Sequence, residues 1–238
     1  MPANKHRLDR YLSIRTGIPK KDVRLLLAQK RVSVDGVIAE NIHDIVGPFS
    51  LVILDGKILQ QRKRLYLMMH KPVGVVSATK DDQHRTVIDL LRERNDLSIT
   101  EDEINELHIV GRLDLNSSGL LLLTNDSEWS NRLMSPEQKV LKVYEVDVEK
   151  PITDDCITAF AEGIYFPYEN ITTKPAILEK LSDTVARVSL TEGKYHQIKR
   201  MFGRFRNPVL ALHRIKIGEF SLDSSLQAGE TTELVKPQ

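Results

Sequence analysis

A single cysteine, Cys156, stands in 238 residues, so the chain can form no internal disulfide and no cysteine-rich zinc site. That usage fits a reducing compartment, and the cytoplasm is the expected location. Long hydrophobic runs are missing too. Apolar stretches such as Leu120–Leu123 span only a few residues, against the ~20 that a membrane-crossing helix needs. No hydrophobic stretch follows the opening Met-Pro-Ala-Asn-Lys-His-Arg, which argues against a secretory signal. There is no internal repeat, no low-complexity segment and no recognisable metal or nucleotide motif. Net charge is nearly absent as well, at +1. What is present is 41% hydrophobic and 28% charged residues. That balance buries a core in one or two domains and excludes disorder as the main state.

The small net charge hides an uneven distribution. Residues 1–31 hold nine Lys and Arg against Asp9 and Asp22, a local charge of +7, which leaves −6 for the rest. A second basic stretch, residues 187–216, opposes eight Lys and Arg to Glu192 alone. Two basic islands suit a polyanion such as nucleic acid, although solvated helix faces would read the same way.

Arg7–Ile14 reads as a short helix, and Pro19 opens a second over Lys20–Lys30. On that helix Lys20, Lys21, Arg24 and Arg31 share about a third of the wheel, beside an apolar sector of Val23, Leu26 and Leu27. Val32–Val34, the Asp35-Gly36 turn and Val37-Ile38 form a strand-turn-strand. The motifs Arg-Leu-Asp-Arg-Tyr-Leu and Arg-Val-Ser-Val-Asp-Gly, with the basic helix between them, resemble an S4 domain over about residues 5–50. The resemblance implies RNA binding through phosphate contacts and shape, with Arg7, Lys20, Lys21, Arg24, Lys30 and Arg31 as contacts. Gly47-Pro48 and the polar stretch Asp55–Arg64 read as a linker, giving an RNA-binding domain over 1–60 and a second domain over 61–238.

Beyond Leu65, strands are expected at 65–70, 107–110, 119–124, 142–148 and 184–190. Helices are expected at 86–94, 128–134, 153–162 and 195–205. Their order has no strict βαβ rhythm, so the fold class is α+β. Glu101–Glu106 reads as an acidic loop, Trp129 as a packing residue and Cys156 as inert. The most informative segment is Gly111-Arg112-Leu113-Asp114-Leu115-Asn116-Ser117-Ser118-Gly119, a polar, glycine-bounded loop that enters the leucine-rich strand. Asp114 fits a nucleophile or a base, with Arg112 near it; an Asx-turn surface aspartate is the commoner reading of the composition alone.

This segment, with Lys142-Val143-Tyr144, His70-Lys71-Pro72-Val73-Gly74 and Glu192–Phe202, resembles the pseudouridine synthases over about residues 65–220. Together with the S4-like front it resembles the RsuA family. One departure is His70, where relatives carry Asn. Another is Arg206-Asn207-Pro208, which replaces a glycine-containing turn and leaves that loop's shape open. The resemblance implies a mixed, largely antiparallel sheet flanked by helices. It also implies isomerisation of a specific uridine in 16S rRNA, uridine 516, within an assembly intermediate, by a monomeric enzyme. Asp114 would be the catalytic residue, supported by Arg112, Tyr144, Ile198 and Lys199. Tyr144 would stack on the target uracil, although a core tyrosine would look the same. Lys71, Gln197, Arg200 and Arg204 would face RNA, with His196 lining or bracing the site. No metal, cofactor or membrane is implied. On the 195–205 helix, Ile198, Met201, Phe202 and Phe205 form an apolar stripe with Lys199 at its edge, placed to meet Asp114. Relatives more often carry Arg there. An enzyme acting on 23S rRNA and a non-catalytic S4-type assembly factor are the competing readings; the short chain without a basic tail favours the small subunit.

Overall fold

The structure is a computed structural model that describes residues 5–94 and 97–235. The chain divides into two compact units: one ends at Arg64 and includes Asp126–Glu128, and the other takes the remainder from Leu65.

The first unit runs β1 (His6–Arg7), α1 (Leu8–Thr16), α2 (Lys20–Ala28), β2 (Val32–Val34), β3 (Val37–Ile38), β4 (Ile45–Val46), β5 (Val52–Leu54) and β6 (Lys57–Gln60). Helix α1 stops at Gly17, whose left-handed backbone (φ 75°) lets its N–H reach the Ser13 carbonyl. Helix α2 turns Val23, Leu26 and Leu27 towards a core shared with Leu8, Leu12, Val32 and Val52. Its Lys20, Lys21 and Arg24 remain exposed. The sheet order is β3-β2-β5-β6, antiparallel throughout. Asp35-Gly36 and Asp55-Gly56 both have positive φ at the two central positions, the geometry that matches the twist of a tight hairpin. The second of these turns corrects the linker expectation for Asp55–Arg64. Lys57–Gln60 is an edge strand paired to β5, and Leu59 packs on the core. Its polar composition reflects its edge position.

In chain order there follow β7 (Tyr66–Lys71), α3 (Val87–Arg92), α4 (Glu101–Glu106), β8 (His108–Val110), β9 (Ser118–Thr124), α5 (Ser127–Met134), β10 (Lys142–Val148) and α6 (Asp154–Glu162). Then come β11 (Tyr165–Phe166), β12 (Ile171–Thr172), β13 (Ile177–Lys180), β14 (Val185–Leu190), α7 (Gln197–Gly203), β15 (Val209–Ile217), β16 (Phe220–Ser221) and β17 (Thr231–Glu233). Nine of these strands form one mixed sheet, β13-β14-β10-β15-β9-β7-β17, with β16 on β15 and β8 on β9. Every pairing is antiparallel except β15 with β9. The mixed, largely antiparallel α+β architecture is therefore as expected.

Alternation sorts the strands' side chains between two cores. Leu121, Leu123, Tyr144, Val146 and Leu212 join residues of α3, α6 and α7, among them Phe160, Ile198 and Phe202. Tyr66, Met68, Leu120, Leu122 and Ile217 join Trp129 on the other face. This double burial accounts for the unbroken run Leu120–Leu123. Two helices depart from expectation. Glu101–Glu106 is helical rather than a loop, because Thr100 and Glu103 cap each other's backbone N–H groups and Ile104 is buried. Helix α7 spans Gln197–Gly203 instead of 195–205, because His196 adopts a left-handed conformation (φ 48°, ψ 32°) at its start.

Candidate active site

The loop between β8 and β9 carries Asp114, and its shape is dictated by backbone groups that need partners. Two buried cations supply most of them. Lys71, at the end of β7, is fully buried. Its Nζ donates to the carbonyls of Ser117 (2.7 Å), Pro72 (2.9 Å) and Asp114 itself (3.1 Å). Burial pushes the Lys71 ammonium down to about 8, against the opposing pull of the Asp114 charge. Arg214, on β15, is also buried. Its guanidinium donates to the carbonyls of Leu120 (2.8 Å), Gly111 (3.2 Å) and Arg112 (3.3 Å). Ser77 closes the set, its Oγ donating to the Leu113 carbonyl and accepting from the Leu113 N–H. At Gly119 (φ 106°) the loop enters the sheet so close to β15 that a Cβ would lie 2.3 Å from the Arg214 carbonyl oxygen. Only glycine fits there.

So held, the loop projects the Asp114 carboxylate towards the start of α7. Its Oδ2 accepts a hydrogen bond from Lys199 Nζ at 3.2 Å, and His196 Nε2 lies 3.4 Å away. Lys199 reaches it because Ile198, Met201 and Phe202 point the other way into the core. About a third of the carboxylate remains exposed. It borders an open cavity of about 100 Å³ with Arg112, Tyr144, Ile198, His196 and Leu212. Tyr144 is buried on β10, its ring 6.0 Å from the Arg214 guanidinium carbon. The site thus joins a one-third-exposed carboxylate, the Lys199 ammonium on it, one imidazole and one aromatic wall, with Lys194 and Arg112 also lining the cavity. Such a set can attack or move a proton at a bound planar ring.

Of the residues singled out from sequence, Arg112, Asp114, Tyr144, Ile198 and Lys199 converge here. Two others are corrected. Lys71 does not face RNA: its charge is enclosed by loop carbonyls. Gln197 is buried, with Nε2 donating to Glu192 Oε1 at 2.6 Å and Oε1 accepting from the Lys194 N–H. Arg200 is half-buried, pairs with Glu169 at 2.5 Å and lies over the Phe166 ring at 4.1 Å. Arg204, by contrast, is exposed at the end of α7. In the first unit Lys20, Lys21, Arg24 and Lys30 are exposed, while Arg7 pairs with Asp9 and Arg31 with Asp55. Trp129 is packed in its core and Cys156 is buried, its thiol pushed up to about 11. The Arg206 turn adopts positive φ without glycine (51°), and Asn207 bonds the backbone of Lys150 on both sides.

Sequence reading missed Arg214 as a brace; the one signal was a charge set within an apolar strand. Among the described residues, no group of three or more His, Cys, Asp or Glu is placed to hold a metal, and no helix is long and apolar enough to cross a membrane.

Residues 65–203 match the family model for RNA pseudouridylate synthase. The chain is 46% identical over 225 residues to the ribosomal small subunit pseudouridine synthase A of Pseudomonas aeruginosa, covering 94% of each chain. It is 38% identical over 233 residues to the protein of that name from Escherichia coli K12, covering 98% of this chain and 97% of the relative. A crystal structure of a pseudouridylate synthase superposes with a TM-score of 0.67 at 33% identity, covering 96% of both chains. The chain belongs to the RNA pseudouridylate synthase family, and within it to the RsuA family.

Proposed function

We propose that this chain isomerises a specific uridine of small-subunit ribosomal RNA to pseudouridine, with Asp114 as the catalytic carboxylate and no cofactor. The observation that carries this reading is the Asp114 carboxylate held against Lys199 at the wall of a cavity that also contains Tyr144. The reaction breaks the bond between ribose C1′ and uracil N1, turns the ring and joins C1′ to C5. The proton leaving C5 is balanced by one gained at N1, so no electron is transferred to or from an outside partner. The residues present match those needs. Asp114 acts as nucleophile or proton carrier, the Tyr144 ring offers a flat wall for the uracil, and Lys199 offsets and orients the carboxylate. The target base must leave its stack to reach the cavity, at a cost of about a few kcal/mol.

Small-subunit rRNA is favoured because the relatives' names specify that subunit; an assembly intermediate is the form proposed for it. The first unit acts as an S4-type module that grips RNA phosphates through Lys20, Lys21, Arg24 and Lys30, and the enzyme works as a cytoplasmic monomer. The test is to map pseudouridines in rRNA from cells with and without this protein. Loss of a single small-subunit pseudouridine is expected. Loss of a 23S rRNA position instead, or of none while RNA binding persists, would overturn it.

A further inference from the structure

The start of α7 holds a feature that uridine isomerisation by Asp114 does not use. Tyr195 is 76% exposed, yet its ring is stacked on His196, with centroids 3.9 Å apart and planes 20° apart. An exposed tyrosine has no packing reason to adopt one orientation, whereas a stacked pair leaves one flat aromatic face open to solvent. The pair is not free to drift. His196 is held in its left-handed conformation by the turn in which Gln197 bonds both Glu192 and the Lys194 N–H. Glu192 Oε1 also accepts from the Lys174 N–H. From there His196 Nε2 lies 3.4 Å from Asp114.

The location is equally specific. Lys194 and His196, the neighbours of Tyr195 on either side, both line the Asp114 cavity, as does the exposed Arg112. Tyr195 is thus joined in the chain to two residues of the cavity rim, whose lining also carries the Lys194 and Arg112 charges suited to phosphates. A nucleotide entering the cavity brings an adjoining nucleotide to that rim, since consecutive phosphates link them. Planar aromatic faces beside basic side chains are how proteins hold unpaired bases without reading their sequence.

We propose that Tyr195, stacked on His196, is a substrate-positioning residue that receives the unpaired base next to the target uridine. This rests on the proposed action on RNA. Stacking on Tyr195 anchors the strand beside the cavity, and His196 carries that anchored position to the carboxylate it faces.

The test uses the full chain and two measurements. In steady-state pseudouridine formation on transcribed small-subunit rRNA, Tyr195→Ala should lower kcat/KM about tenfold, mostly through KM, since one base–aromatic stack is worth roughly that factor or more. Tyr195→Trp should restore it and Tyr195→Leu should not. Binding of a fluorescein-labelled oligouridylate, measured without turnover, should weaken in the same order. The thermal melt should be unchanged in all three variants, because the side chain is exposed. Equal KM and oligouridylate affinity in Tyr195→Ala and wild type would overturn the proposal. So would a fall in kcat that Trp fails to restore, which would mark a structural role. If wild type forms no pseudouridine, the proposed reaction fails, and the oligouridylate series still decides whether Tyr195 holds a base.

Discussion

Replacing Lys71 by Met removes a buried cation and its three hydrogen bonds while keeping the length of the stem. The two consequences have opposite signs. Of the three carbonyls left without a donor, that of Ser117 is bonded in a fully buried setting and those of Pro72 and Asp114 in partly buried ones. At about 1–3 kcal/mol for the first and about 1 kcal/mol for each of the others, the loss is ~3–5 kcal/mol. Against it, the fold holds the ammonium at about 8 instead of 10.5, which at neutral pH costs wild type ~3 kcal/mol that the Met variant is spared. The net destabilisation at pH 7 is therefore small, ~0–2 kcal/mol. It grows with pH. Above about 8 the folded wild type has released the Lys71 proton while the unfolded chain keeps it up to 10.5, so the unfolded state binds more protons and stability rises with pH. The variant lacks this rise, and the gap should widen by up to about 1.4 kcal/mol per pH unit above 8. Urea unfolding followed by the fluorescence of Trp129, the single tryptophan, buried in the second unit, reads this directly. Wild-type and Lys71→Met stabilities that run parallel from pH 7 to 9.5 would refute the reasoning.

Gly119→Ala places a methyl group 2.3 Å from the Arg214 carbonyl oxygen at φ 106°, so it should destabilise the second unit by at least about 2 kcal/mol; an unchanged urea midpoint would contradict the close approach. Lys199→Met removes the charge-assisted bond to Asp114 and should lower kcat/KM by about 10–100-fold, from ~1.5–3 kcal/mol, with an unchanged melting curve. Lys199→Arg should recover part of that activity, and equal rates for Met and wild type would rule out a catalytic use of the pair. Exchanging Lys20, Lys21 and Arg24 for Gln should flatten the log–log salt dependence of RNA affinity by about 2–3, with KM raised more than kcat is lowered. An unchanged slope would move phosphate binding to the basic stretch around Arg204.

What the sequence disclosed followed from periodicity and local chemistry. The stripe Ile198, Met201, Phe202 set which face of α7 enters the core, and so which neighbour, Lys199, borders it. The glycine-bounded polar loop before four leucines reads as a loop entering a buried strand, which the structure buries on both faces. The misses share another cause. The role of Lys71 and Arg214 depends on the fold closing a ring of carbonyls around each, and the only local trace is the charge of Arg214 within an apolar strand. The strand Thr231–Glu233 is three residues long and is specified by its pairing with Leu67–Met69, far away in the chain. Glu101–Glu106 reads as a loop from its acidic composition, whereas the reciprocal Thr100–Glu103 cap makes it a helix. His196 shortened α7 through a left-handed turn set by Gln197 and Glu192, a contact network rather than a propensity.

Everything in the site is arranged around one carboxylate, so the most direct measurement is turnover by Asp114→Asn. The substitution keeps size and hydrogen-bonding capacity and removes the charge. Purified free of wild-type enzyme and assayed on small-subunit rRNA, the variant should melt and bind RNA as wild type does and form no detectable pseudouridine. Pseudouridine formation at a substantial fraction of the wild-type rate would contradict the assignment of Asp114 as the catalytic residue.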